Sequence, residues 1–104
     1  MLFDEAMILD YIEEMTELAD NLEIELINLA NDYSDQEAIN KIFRFFHTIK
    51  GNAGLFKHSI LQDVAHKTED ILDLIRNDEL KVDDGLNNFL ISALDIIKNL
   101  IANL

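Results

Sequence analysis

No proline occurs in the 104 residues, and glycine occurs only three times. Without proline the chain lacks its strongest helix stop, so a helix once begun can run for many turns. The apolar residues then decide where helices lie. They recur every three or four positions in four runs, the period of one helix face and not of a strand. This composition suits long helices joined by short loops rather than a sandwich or barrel. The length allows one hydrophobic core, so a single domain is expected over residues 1–104.

The first run covers residues 3–31, with Ile8, Tyr11, Met15, Leu18, Leu22, Leu26 and Leu29 on one face. A second helix is expected to open at Ser34, where Ser34-Asp35-Gln36-Glu37 fits a capping box, and to end between Phe56 and His58. Its stripe is Ile39, Ile42, Phe43, Phe46, Ile49 and Ala53. A third is expected to open at Ser59 with the box Ser59-Ile60-Leu61-Gln62 and to stop at Asn77-Asp78. It buries Leu61, Val64, Ala65, Thr68, Ile71, Leu72 and Ile75. The fourth starts at Asp83 or Asp84, either of which can cap it, and runs to the end. Its stripe is Leu86, Phe89, Leu90, Ala93, Ile97, Leu100 and Leu104. Short connections make neighbours antiparallel, so the expected fold is an all-α, up-down-up-down four-helix bundle.

Charge narrows the partners. With 21 acidic and 8 basic residues the formal charge is −13. Such a surface repels nucleic acid and anionic lipid, so neither is expected as a partner, and it favours a protein with a basic patch. Cysteine is absent, which excludes disulfides and thiolate metal sites. The acidic start MLFDEAMILDYIEEM does not read as a signal peptide, and no apolar run approaches the ~20 residues of a membrane span. A cytoplasmic location is the expectation.

Two of the three glycines fall in FRFFHTIKGNAGLF, residues 43–56, before the helical pattern has ended. At about 100° per residue, Asn40, Arg44, His47, Gly51 and Gly54 share one flank of the apolar stripe. His47 therefore stands at the edge of the core, on a strip stripped of bulk. Each glycine weakens a helix by roughly 1 kcal/mol relative to alanine. One reading is that the missing side chains let another protein approach the imidazole. The other is that the glycines mark the helix end or admit a neighbouring helix. Lys50, three residues on, reaches the same region, where it could hold an anionic group attached to the imidazole or be an ordinary solvated lysine. On the third helix Glu69 lies on a flank with Gln62, Asp73 and His66. In an antiparallel pair that flank can face His47. A carboxylate accepting from one ring nitrogen fixes the tautomer and leaves the other nitrogen as nucleophile.

The string His47 to Ala53, His-Thr-Ile-Lys-Gly-Asn-Ala, resembles the phosphoacceptor motif of histidine phosphotransfer (HPt) domains. FRFFHTIKGNAGLF and the downstream LQDVAHKTEDILDLIR are similar in particular to the N-terminal phosphotransfer domains of chemotaxis histidine kinases of the CheA type. These stretches cover 30 of the 104 residues. The resemblance implies that His47 carries a phosphoryl group on Nε2 and that Glu69 orients the ring through Nδ1. It implies that Lys50 and His66 belong to the active-site cluster and that Gly51 keeps the imidazole accessible. The implied partners are a histidine kinase catalytic domain and a response-regulator receiver domain. No cofactor is implied on this domain: ATP would sit on a separate kinase domain, and Mg2+ on the kinase and receiver. The implied parent is a larger kinase from whose N-terminus the domain is excised, and the isolated domain is expected to be a monomer. The chain departs from the pattern at Phe45 and Phe46, where the family often has small residues. Phe46 lies on the core stripe; Phe45 lies off it. His58 falls outside the motif.

The chain carries no Gly-rich nucleotide loop, so it reads as a covalent phosphoryl carrier rather than a self-sufficient enzyme. A di-iron bundle would need paired Glu-x-x-His motifs on two helices, and here a single Asp-x-x-His ends at His66. A plain four-helix interaction or dimerisation module would explain the stripes and the acidity but not the His-Lys-Gly constellation.

Overall fold

A computed structural model describes residues 3–104; the first two residues of the expected domain lie outside them. The chain forms four helices: α1 (Glu5–Asn31), α2 (Gln36–Leu55), α3 (Ser59–Arg76) and α4 (Asp84–Ala102). They form a bundle measuring 43 × 21 × 20 Å. Each helix packs on its neighbours in sequence, and α4 closes the square on α1. Polar contacts across the seams show the direction. Glu14 meets Asn52 while Glu25 meets Lys41, so α1 and α2 run antiparallel. Glu23 meets Lys98 while Tyr33 meets Asp84, so α1 and α4 do too. The all-α up-down-up-down expectation is met. No helix among the described residues is long and apolar enough to cross a membrane.

The three-and-four spacing fills the core from all four helices, with Met15, Leu22, Phe46, Ile49, Leu61, Leu72, Leu90 and Ile97 wholly buried. Three stripe residues do not join it. Ile8 sits at the bundle end beside Tyr11 and Phe56 and is exposed. Phe89 and Leu104 of the expected α4 stripe are exposed, while Leu94 and Ile101 are buried in their place. For Phe89 the physical reason is that α4 packs more closely on α1 than on α3, which turns its buried face toward α1, whereas Leu104 lies beyond the helix end at Ala102. Phe46 is buried as expected, and Phe45 rests half-buried beside Leu18.

Both serine capping boxes are corrected. The α2 cap is Asp35, whose side chain accepts from Ala38 N at 3.0 Å. Ser34 is unavailable because its N–H and its hydroxyl both donate to Asp32 Oδ1, at 2.9 and 2.6 Å. A carboxylate one residue later is the better acceptor, and it takes the cap. Ser59 is the first helical residue of α3, not its cap. His58 holds the cap position and makes no side-chain cap bond, because its Nδ1 lies 3.2 Å from Tyr11 Oη instead. Tyr11 in turn stacks on Phe56 with ring centroids 4.3 Å apart. Burial pushes the Tyr11 hydroxyl up to about 12 and holds His58 below the usual histidine value. The α4 cap is Asp83, one of the two expected candidates, accepting from Leu86 N.

The α2–α3 turn places the site and carries backbone strain. His58 N donates to Ala53 O and Lys57 N to Gly54 O, the paired bonds of a Schellman stop. That motif needs a left-handed residue, and here it is Lys57 at φ 55°. A side chain in that region is disfavoured by roughly 1–2 kcal/mol, more than the entropy that a glycine adds to the unfolded chain. Lys57→Gly is therefore expected to stabilise the bundle by about 0.5–1 kcal/mol in urea denaturation; a loss of stability would show that the lysine side chain holds the turn.

Candidate functional site

His47 lies on α2, one turn from Phe43 and one from Gly51. Its side chain is 62% exposed, and its Nδ1 lies 3.1 Å from Glu69 Oε1 on α3. The expected pairing across the seam is present. It follows from the antiparallel register of α2 and α3. Moving back along α2 from Gly54 to Lys50 and His47 and then Phe43 meets α3 residues moving forward, Gln62, then Glu69, then Arg76. Those three α3 residues are seven apart, so they share one face.

The two glycines separate into different roles. A Cβ on Gly54 would come 2.8 Å from Gln62 Nε2, so Gly54 makes room for the Gln62 side chain of α3. A Cβ on Gly51 would meet nothing within 4 Å. Gly51 therefore neither relieves a contact nor ends the helix, which runs on to Leu55. Beyond it on the same strip, Leu55 is 74% exposed, so the surface from His47 past Gly51 is open.

Lys50 is placed otherwise than as a free cation. Its Nζ lies 2.9 Å from Glu69 Oε2, so the carboxylate bridges His47 and Lys50. Burial alone would raise the Glu69 carboxyl, but the Lys50 ammonium and the His47 hydrogen bond outweigh it and hold Glu69 below the usual glutamate value. Glu69 is thus kept ionised. A carboxylate that accepts from Nδ1–H selects the tautomer with its lone pair on Nε2.

The sign of the pH dependence follows. Glu69 contributes stability that is present above its unfolded value and is lost as the pH falls through its lower folded value. A 13C NMR titration of Glu69 is expected to give a midpoint below that of an unfolded glutamate, and Lys50→Met is expected to raise it. An unmoved midpoint in Lys50→Met would show that the 2.9 Å pair does not hold the carboxylate.

His66 is not bonded into this cluster. Its Nε2 lies 3.7 Å from Asp70 Oδ1, one turn on along α3, and it borders an open cleft of about 520 Å³ with Ile60, Gln62 and Asp63. Asp73 pairs loosely with Arg76 at 3.9 Å. Among the described residues no three His, Asp or Glu side chains converge where a metal ion could be held. Two neighbours of His47 escape a reading by stripe alone. The Phe43 ring lies within 15° of the imidazole plane, and the Arg76 guanidinium lies 4.0 Å from the Phe43 centroid. The signal for Arg76 was its spacing of seven from Glu69.

Residues 6–104 match the Hpt domain family model. The chain is 35% identical over 92 residues to chemotaxis protein CheA of Borreliella burgdorferi, covering 88% of this chain and 11% of that protein. It spans only 11–14% of the length of the curated relatives it matches. Among solved structures, it superposes on the CheA phosphotransferase domain from Thermotoga maritima with a TM-score of 0.88 and 32% identity, covering 92% of this chain and 91% of that one. A solution structure of the histidine phosphotransfer domain of CheA is likewise similar, with a TM-score of 0.88, 32% identity, and 97% of this chain and 76% of that one covered.

Proposed function

We propose, since the chain belongs to the Hpt domain family, that His47 carries a phosphoryl group between a kinase and a receiver domain in chemotaxis-type two-component signalling. The observation that carries this reading is an exposed imidazole whose Nδ1 is bonded to an ionised carboxylate, beside a glycine that leaves open space one turn on. In the loading step the Nε2 lone pair attacks the γ-phosphorus of ATP held on a separate kinase domain. The N–P bond forms, the bond to ADP breaks, and the proton stays on Nδ1, where Glu69 offsets the positive charge of the ring. In the second step an aspartate oxygen of the receiver attacks phosphorus. The N–P bond breaks, an acyl phosphate forms, and the imidazole returns to its neutral tautomer.

The domain's own contribution is orientation and electrostatics, which is most of what a phosphoryl transfer needs. Lys50 keeps Glu69 ionised and brings positive charge within reach of the loaded phosphoryl group. Gly51 keeps the approach to Nε2 free. His66 belongs to the rim that a partner meets. Mg2+ and ATP are supplied by the kinase and receiver, the parent chain is a CheA-type kinase of the cytoplasm, and this domain by itself is a monomeric carrier without an ATP site.

The reading is tested by incubating the domain with MgATP and a CheA-type kinase core that lacks its own phosphotransfer domain. Uptake of an acid-labile, base-stable phosphate is expected. Failure to load from kinase cores and from phosphorylated receivers alike would leave a four-helix interaction module.

A further inference from the structure

An imidazole held at one atom still pivots. Glu69 grips His47 only at Nδ1, and the ring is largely exposed, so one hydrogen bond leaves its tilt free. The second contact is aromatic. Phe43 lies one turn earlier on α2, its centroid 6.3 Å from that of the imidazole and its plane within 15°. This falls within the separations of offset-stacked rings. Phe43 is itself half-buried against the core, so part of its ring is open to further contacts.

Arg76 fixes it. The guanidinium carbon lies 4.0 Å from the Phe43 centroid, well inside the ~6 Å reach of a cation–π contact. Its nearest carboxylate, Asp73, is 3.9 Å away in an exposed i, i+3 pair, which is worth little, so the guanidinium is left to the ring. Arg76 comes from the last turn of α3, two turns beyond Glu69. The same helix therefore reaches across the seam twice. Glu69 sets the edge of the imidazole, and Arg76 sets the aromatic platform beside it.

We propose that Arg76 is a positioning residue for phosphoryl transfer at His47, acting through Phe43 to hold the imidazole plane with Nε2 outward. The proposal rests on His47 being the phosphoryl carrier. Arg76 touches neither the imidazole nor the reacting atoms, and no bond to it forms or breaks. Its effect is to narrow the range of ring orientations from which the Nε2 lone pair can meet phosphorus in line.

The experiment compares Arg76→Gln, Arg76→Lys, Phe43→Leu and the double variant Arg76→Gln/Phe43→Leu with the unaltered chain. Phosphoramidate serves as donor, since it has no protein surface whose docking could change. Loading rates are read beside the NMR shifts of the His47 ring protons, which sense the Phe43 ring current. Arg76→Gln is expected to slow loading roughly 3- to 10-fold, the factor carried by one partly exposed cation–π contact, and to move the His47 ring shifts. Arg76→Lys should restore part of both. Phe43→Leu should slow loading by a similar factor, and the double variant should be no slower than either single one. Unchanged loading in Arg76→Gln, multiplying losses in the double variant, or slower loading with unmoved His47 shifts would each overturn the proposal. If the unaltered chain takes nothing from phosphoramidate, from a kinase core or from a phosphorylated receiver, the carrier reading fails, and the His47 shifts in Arg76→Gln still decide whether the platform holds the ring.

Discussion

Replacing His47 by glutamine is expected to leave a folded bundle that takes up no phosphoryl group. Glutamine keeps much of the size of histidine and can still donate to Glu69, but its amide nitrogen has no free lone pair to attack phosphorus. The fold has little at stake, because the His47 side chain is 62% exposed and its hydrogen bond is to Glu69 alone. An exposed substitution of this kind changes stability by about 0.5 kcal/mol or less. The check is thermal unfolding beside radiolabel uptake from a kinase core and from phosphoramidate. A folded His47→Gln protein that still gained phosphate on histidine would move the acceptor elsewhere, with His66 and His58 the remaining histidines.

The second large effect concerns access, and Gly51 isolates it. Since an added Cβ meets nothing within 4 Å, alanine fits there. Gly51→Ala should stabilise the protein by about 1 kcal/mol, the ordinary gain of alanine over glycine inside a helix. A helix that forgoes that gain at an open position has another use for the space. Gly51→Trp should accordingly keep the bundle folded and keep loading from phosphoramidate, which is small enough to pass. Transfer from loaded His47 to a receiver should fall by more than about 10-fold, the cost of pushing a docked surface an ångström or more away from the reacting atoms. Transfer at the unaltered rate would show that partners do not approach over Gly51. Gly54 offers the contrast, because there a Cβ meets Gln62 Nε2 at 2.8 Å and any effect on transfer would be mixed with a displaced Gln62 side chain.

Much of this site was legible in the sequence, and what was not has physical causes. Two amphipathic helices joined by a short turn allowed the flanks of His47 and Glu69 to face each other, and the resemblance to HPt domains singled out the pair that the structure places 3.1 Å apart. The role of Lys50 was harder to see. A residue three positions from His47 reaches the same region, but only the register across the seam shows that Glu69 claims its charge. Phe43 was read as core because it lies on the apolar stripe, whereas its half-buried position lets one ring meet both an imidazole and a guanidinium. Arg76 could have been found from the spacing of Gln62, Glu69 and Arg76, which puts all three on the flank that faces α2. The serine caps failed for a local reason, competition: Asp32 captured Ser34, and Asp35 offered the better acceptor. On α4 the stripe alone could not fix the rotation, because the choice between burying Phe89 and burying Leu94 depends on how closely α3 and α1 each approach.

The most direct test of the central claim is to load the unaltered domain from a kinase core with MgATP and to map the phosphate, by mass spectrometry for the residue and by 31P–15N coupling for the atom. The expected result is a single phosphoryl group on Nε2 of His47. Phosphate on His66 or His58, or on Nδ1 of His47 where Glu69 now binds, would contradict it.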